Sequence, residues 1–303
     1  MSAVLLPFDD CHRIDWISFD RLLEKTAESG LLPVVNMDTG YATLITATDR
    51  EWVLDRCRVV LGEGNFAAGA FSRDTPKAGF VAEAFDQAGF LAATELVVSY
   101  GALPVVFQNF GLTGLPEAEI VAAYQSLAGV ADRFLAFELG LMFADFGRIY
   151  SLDVVRALLD IPQCIGMKHS SFDRVWEWQR LALRNEVRPD FLMLTGNDRA
   201  IDMVMYGADY LLGLSAFFPD VFRRRDLAWE AGDPDFYRLN DGLQAFGSFT
   251  FRDPVPGYRA NCAQFLKMRG WIDTDNVHRR AAGRPTHDVA VLRRLAAQID
   301  IDL

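Results

Sequence analysis

Short runs of apolar residues alternate along this chain with stretches whose apolar positions recur every three or four residues. The runs are too short for helices and lack a polar face, so they read as strands buried on both sides. They fall at 4–7 (VLLP), 31–35 (LLPVV), 66–71 (FAAGAF), 103–107 (LPVVF), 134–137 (FLAF), 164–167 (CIGM), 191–194 (FLML) and 210–214 (YLLGL). Between them the helical period predicts helices near 16–29 and 49–61, and a long apolar one ending near Tyr100. Another opens at Pro116 and Glu117, with Ile120, Tyr124 and Leu127 on one face. Ser151 is placed to cap the next helix, and Ser170 with Asp173 forms a capping-box pattern before a helix carrying Val175, Trp178 and Leu181. Asn197 or Asp198 caps a short helix with Ile201, Val204 and Met205 on one face.

Strands buried on both faces and joined by helices long enough for parallel crossovers predict a (β/α)8 TIM barrel. Residues 1–216 supply the barrel strands and most of its helices. Residues 217–303 read as the last barrel helix and a C-terminal helical extension, packed on the barrel as one structural unit. At 303 residues, 51% hydrophobic and 23% charged, the chain suits one globular core of this kind.

Charge narrows the choice of partners. A net charge of -11 repels phosphate backbones and anionic lipid, so neither nucleic acid nor membrane is expected as a partner. The dense basic run Arg223-Arg224-Arg225 is short and followed by Asp226, which fits a solvated helix face. The N-terminal residues do not resemble a signal peptide, and no run is long and apolar enough to span a membrane. Four scattered cysteines without a Cys-x-x-Cys spacing suit a reduced, cytoplasmic protein. The four histidines show no metal-binding spacing and no glycine-rich phosphate loop is present, so neither a metal nor an external cofactor is expected.

The candidate chemistry sits in QCIGMKHSS, residues 163–171, where an apolar strand ends in Lys168. In a barrel of this kind the C-terminal strand ends carry the active site. An apolar strand end desolvates an ammonium and so favours the neutral amine, the form that condenses with a carbonyl to make an imine. A lysine that only reaches solvent or an acid is the alternative on pattern alone. His169 directly follows and can point to the opposite side, in a structural role.

The segment IGMKHSS resembles the Schiff-base lysine segment of the dihydrodipicolinate synthase and N-acetylneuraminate lyase family of class I aldolases. LLPFDDCHRIDW, DTGYATLIT (38–46), GRIYSLDVVRALLDIPQCIGMK, TGND (195–198), GADYLLGLS and YRANCAQFLKMRGW resemble further segments of that family, in order, over nearly the whole chain. The resemblance implies a lyase with Lys168 as the imine-forming residue, a small-molecule carbonyl substrate and a homo-oligomer, commonly a tetramer. It also implies that Asp38, Thr39 and Gly40 form the substrate loop after the second strand. Gly196, Asp198 and Ser215 match positions that contact sugar hydroxyls in the N-acetylneuraminate lyase branch.

Departures from the family pattern matter as much. Asp38 stands where a hydroxyl is usual beside the substrate carboxylate, and an ionised aspartate there disfavours a 2-keto acid bound in the standard way. No tyrosine stands in register in FELG (137–140): ungapped counting puts Gly140 at that position, and a small shift puts Glu138 there. Glu138 is costly to bury idle and is therefore expected to face the barrel mouth as the proton shuttle. Phe107 and Phe110 occupy the fourth-strand end, where the family shows hydroxyls. The expected function is aldol cleavage, condensation or dehydration of a small keto compound, such as a keto sugar or a 2-keto-3-deoxy sugar acid. A non-catalytic metabolite-binding barrel, or an acid–base enzyme using Lys168 and Glu138 without an imine, is the alternative.

Overall fold

The structure is a computed structural model that describes residues 1–72 and 85–303. Its strands are β1 (Ser2–Ala3), β2 (Pro33–Val35), β3 (Ala67–Ala70), β4 (Leu103–Val106), β5 (Phe134–Leu139), β6 (Cys164–Ser170), β7 (Leu192–Thr195) and β8 (Asp209–Tyr210). They form one eight-stranded parallel sheet in sequence order, the strand arrangement of a (β/α)8 barrel. Just past β8, Leu212 makes a parallel bridge to Ser2 of β1.

The helices are α1 (Trp16–Glu28), α2 (Ala47–Leu61), α3 (Gln87–Ser99), α4 (Phe110–Thr113), α5 (Glu117–Ser126), α6 (Leu152–Leu159), α7 (Arg174–Val187), α8 (Pro219–Ala231), α9 (Asp235–Thr250), α10 (Tyr258–Met268) and α11 (Asp288–Ala297). Any part of the long apolar helix expected before residue 85 lies outside the described residues. Two compact units make up the chain: Met1–Asn65 with Asp198–Asp202 and Leu211–Leu303, and Phe66–Asn197 with Met203–Tyr210. The first holds β1, β2 and the C-terminal helices; the second holds β3 through β8.

Local chemistry explains most boundaries. Thr46 and Asp49 form a capping box at α2, and Ser151 Oγ accepts from Val154 N at 3.3 Å to start α6. The structure departs from the sequence expectation at α7. Strand β6 runs through Ser170, and the cap is Asp173, whose Oδ1 accepts from Val175 N at 2.8 Å. The buried face of α7 also differs: Glu177 and Arg180 are 4% and 2% exposed, whereas Val175 and Trp178 are 53% and 44% exposed. Of the three expected stripe residues only Leu181 is buried, at 4% exposed, and Glu177 and Arg180 turn inward beside it because the strands beneath this helix present polar groups, described below.

The eighth expected strand is shorter than 210–214: only Asp209–Tyr210 pair as a strand, and Leu214–Phe217 form a 3-10 turn. The stretch after Asp198 is likewise a 3-10 turn, Ile201–Tyr206. No described helix is long and apolar enough to cross a membrane.

Candidate active site

Lys168 lies near the C-terminal end of β6, opposite Phe137 of β5. Its Nζ sits 4.5 Å from the centre of the Phe137 ring, and the residue is 6% exposed. Successive strand residues point to opposite faces of a sheet. Phe137 and Lys168 therefore share the face turned away from the helices, and Glu138 and His169, the next register pair, share the helix-facing side.

Gly196, just past β7, lies against the lysine. A Cβ there would come within 2.1 Å of Ser170 Oγ and 2.8 Å of Lys168 Cε, so only glycine leaves both side chains their present positions. Its N–H donates to the His169 carbonyl at 2.8 Å. Gly196 thus shapes the space around the amine through its missing side chain, and Ser170 puts a hydroxyl on the same face of β6 as Lys168.

Glu138 is fully buried and surrounded by donors. Arg180 of α7 donates from Nε to Oε1 at 2.5 Å and from Nη2 to Oε2 at 3.2 Å. The Tyr150 N–H donates to Oε2 at 2.6 Å. His169 Nδ1 lies 2.6 Å from Oε1; an ionised carboxylate only accepts, so Nδ1 carries the proton. His169 Nε2 is 2.7 Å from Ser171 Oγ, which in turn accepts from the Asp173 N–H at 3.2 Å. Burial pushes the Glu138 carboxyl toward its neutral form, but His169 and Arg180 outweigh this and hold its pKa below the usual range. Nearby Glu177 goes the other way: burial raises its pKa against hydrogen bonds from Thr195 and Asn197, whose Nδ2 donates at 2.7 Å.

The expectation that Glu138 faces the mouth beside Lys168 is therefore not met. Being one residue out of phase with Phe137 puts it on the other side of the sheet, where it pairs with Arg180. Sequence reading missed this guanidinium. Its signal was an arginine amid the helix that follows the lysine, which ordinary helix patterning assigns to solvent.

The remaining candidates lie in the other compact unit. Asp38, Thr39 and Gly40 form a 3-10 turn after β2. Thr39 Oγ1 is 2.8 Å from the hydroxyl of Tyr258, at the start of α10, and both residues are buried. Burial raises the Tyr258 pKa well above that of an ordinary phenol. Arg259 donates to the Asp38 carbonyl at 3.1 Å and stacks over the Tyr41 ring. Asp198 Oδ1 accepts from the Leu214 N–H at 2.7 Å, tying the turn after β7 to the turn after β8. The Ser215 hydroxyl donates to the Leu212 carbonyl at 2.8 Å and is fully buried. Tyr258 was not singled out from sequence, because a tyrosine opening a distant helix carries no local mark of its partner. Among the described residues no group of histidine, cysteine, aspartate and glutamate could hold a metal ion.

Neither the protein-family models nor the curated proteins contain a match to this sequence. Solved structures do match in shape. A prophage protein of the dihydrodipicolinic acid synthase family from E. coli K12, in complex with pyruvate, aligns with a TM-score of 0.84 at 14% identity, over 99% of this chain and 98% of its own. Dihydrodipicolinate synthase from Thermotoga maritima gives 0.80 at 16%, over 98% and 97% of the two chains. N-acetylneuraminate lyase from Mycoplasma synoviae gives 0.76 at 14%, over 98% and 96%. Over nearly its whole length, then, the chain has the fold of the dihydrodipicolinate synthase and N-acetylneuraminate lyase structures.

Proposed function

We propose that the protein is a lyase of the class I aldolase type, acting on a small keto compound through an imine at Lys168. The observation that carries this reading is the amine itself: a lysine almost excluded from solvent, at a C-terminal strand end, held over a phenylalanine ring beside a glycine that makes room for it. The enzymes whose fold the protein shares include dihydrodipicolinate synthase and N-acetylneuraminate lyase.

In the proposed reaction the neutral amine adds to the carbonyl carbon and water leaves, giving a protonated imine. In cleavage the β-hydroxyl gives up its proton, the β-carbon leaves as an aldehyde and the electrons of the broken C–C bond flow into the iminium to form an enamine; in dehydration the α-carbon loses a proton to form the enamine, which then expels the β-hydroxyl as water. In cleavage the enamine carbon then takes a proton, and water hydrolyses the imine to restore the lysine. No external electron sink is needed, because the iminium serves as one. Asp38, Thr39, Gly40, Gly196, Asp198 and Ser215 keep their proposed substrate-side roles from the family resemblance. Of these, Ser215 and one oxygen of Asp198 already serve backbone donors and acceptors, which weakens the case for a sugar-like substrate. Glu138 is proposed as a positioning residue for β6, because its carboxylate is occupied by Arg180, His169 and the Tyr150 N–H. That occupancy also argues against an acid–base pair of Lys168 and Glu138. A cytoplasmic homo-oligomer remains part of the proposal.

Borohydride reduction in the presence of neutral and acidic keto compounds, followed by peptide mapping, tests the reading. A reduced adduct on Lys168, absent from Lys168→Ala, is expected. A folded protein that gives none with any compound would point instead to a metabolite-binding barrel.

A further inference from the structure

We infer that the carbonyl substrate carries an aromatic or similarly flat apolar substituent, which lies along a ladder of phenylalanine rings leading away from Lys168. The inference rests on the imine reading above and names the substrate class for it. The ladder starts at Phe137, under the lysine amine. Phe107 meets Phe137 edge to face at 4.9 Å between ring centres, and Phe71 meets Phe107 at 5.8 Å. Phe146 stacks on Phe71 at 6.0 Å, and Phe110 stands edge-on to Phe146 at 5.7 Å. Exposure rises along the series, from 0% at Phe137 and 1% at Phe107 to 7% at Phe71, 8% at Phe146 and 46% at Phe110. The rings thus run from the proposed nucleophile to the surface within one compact unit, the inner two closed off by their neighbours and the outer three, Phe71, Phe146 and Phe110, keeping the accessible area against which the substituent rests.

The backbone around the ladder is held in place by polar side chains. Gln108 donates to the Arg148 carbonyl at 2.7 Å and accepts from the Arg148 N–H at 3.1 Å, fixing the loop that carries Phe146. Asn109 accepts from Leu112 N at 2.8 Å and donates to Ser72 Oγ at 3.0 Å, fixing the chain next to Phe71 and on both sides of Phe110. Amides that could have faced a ligand are spent on positioning rings instead.

Five phenylalanine rings offer no hydrogen-bond donor or acceptor. A polyhydroxylated tail laid against them would lose water without gaining hydrogen-bond partners. A flat apolar tail loses nothing of this kind and gains edge and face contacts with the rings.

The test uses two pairs of carbonyl compounds that differ in the tail: 4-phenyl-2-butanone against fructose, and 4-phenyl-2-oxobutanoate against 2-keto-3-deoxygluconate. The full-length protein is reduced with borohydride over a concentration series of each, and the adduct on Lys168 is quantified by peptide mass mapping. In at least one pair the phenyl compound is expected to reach half-maximal trapping at roughly tenfold lower concentration or better, the scale set by a modest apolar contact in a pocket. Phe146→Ser and Phe110→Ser, each at the more exposed end of the ladder, should shrink that ratio severalfold, with folding checked by thermal unfolding. Equal trapping, or preference for the hydroxylated compound in both pairs, overturns the inference and leaves the imine reading intact. A preference that neither variant moves also overturns the ladder as its source. No Lys168 adduct with any of the four compounds ends both.

Discussion

The two faces of strands β5 and β6 differ as sharply as any two regions of this protein, although their residues alternate along the same few positions. Toward the helices, Glu138 and His169 join Arg180, the Tyr150 N–H and Ser171 in a buried network with opposite charges paired. On the other face, Phe137 and Lys168 meet among phenylalanines, with one amine and one serine hydroxyl on that side of β6. One face is chemically saturated and suits structure. The other holds the proposed nucleophile, Lys168, against a phenylalanine ring and suits chemistry on a carbonyl group. A residue's chemical type did not settle which face was which: the carboxylate, expected from sequence as the proton shuttle, fell on the helix-facing side.

Four predictions probe that contrast, from the largest effect to the smallest. Lys168→Ala should remove turnover by ~10³-fold or more, as loss of a covalent nucleophile does, while thermal unfolding stays within a few degrees of the parent protein. Comparable unfolding but undiminished activity would transfer the chemistry elsewhere.

On the opposite face, Glu138→Ala should lower stability by about 3–5 kcal/mol, because Arg180 would be left buried without its counterion. Chemical denaturation measures it. The double variant Glu138→Leu with Arg180→Met should recover much of that loss, since removing both charges removes the unpaired one. Additive losses instead would mean that the pair is not the organising contact.

Gly196→Ala crowds the lysine-bearing face at one atom. A methyl group there meets Ser170 Oγ and Lys168 Cε, so the lysine must move. Turnover should fall ~10²-fold, the scale expected for about 1 Å of misplacement, with a smaller loss of stability, about 1–3 kcal/mol, from overpacking. Kinetics and denaturation on the same sample separate the two.

The smallest effect distinguishes the two buried glutamates by pH. Glu138 has a lowered pKa when folded, so its contribution is fully present above the unfolded value of about 4.3 and is lost as pH falls through the lower folded value. Glu177 has a raised pKa, so its ionisation costs stability at neutral pH, and that cost is relieved as pH falls through the raised value. Glu177→Gln should therefore flatten the stability curve on the neutral side, and Glu138→Gln should flatten it on the acid side. Denaturation midpoints from about pH 2 to pH 8 read both, Glu177 in the upper part of that range and Glu138 below about pH 4.3, on the scale of ~1.4 kcal/mol for each tenfold change in proton affinity.

Much of the architecture was legible because it rests on local, repeating signals. Apolar runs marked the strands, and Ser151 marked the start of α6. Lys168 was legible as a candidate because an amine at the end of an apolar strand breaks the pattern around it. Glu138 was legible as a residue needing an explanation, but the explanation lay 42 positions later in Arg180. The α7 helix misled in part for the same reason: Leu181 turns inward as its pattern suggested, but Val175 and Trp178 do not, and the polar strand residues below draw Glu177 and Arg180 inward. Phe107 read from sequence only as a missing hydroxyl, and became a rung of the ring ladder once Phe71, Phe137 and Phe146 stood beside it.

The sequence by itself determined what depends on neighbours along the chain: the alternation of strand and helix, the barrel class, and a lysine at the end of its sixth strand. Only the tertiary structure decided which way each side chain turned and what it met. The physical reason is the two-residue period of a strand. A shift of one position exchanges the faces, and which exchange is realised depends on whether a distant guanidinium or a distant ring is there to receive the side chain.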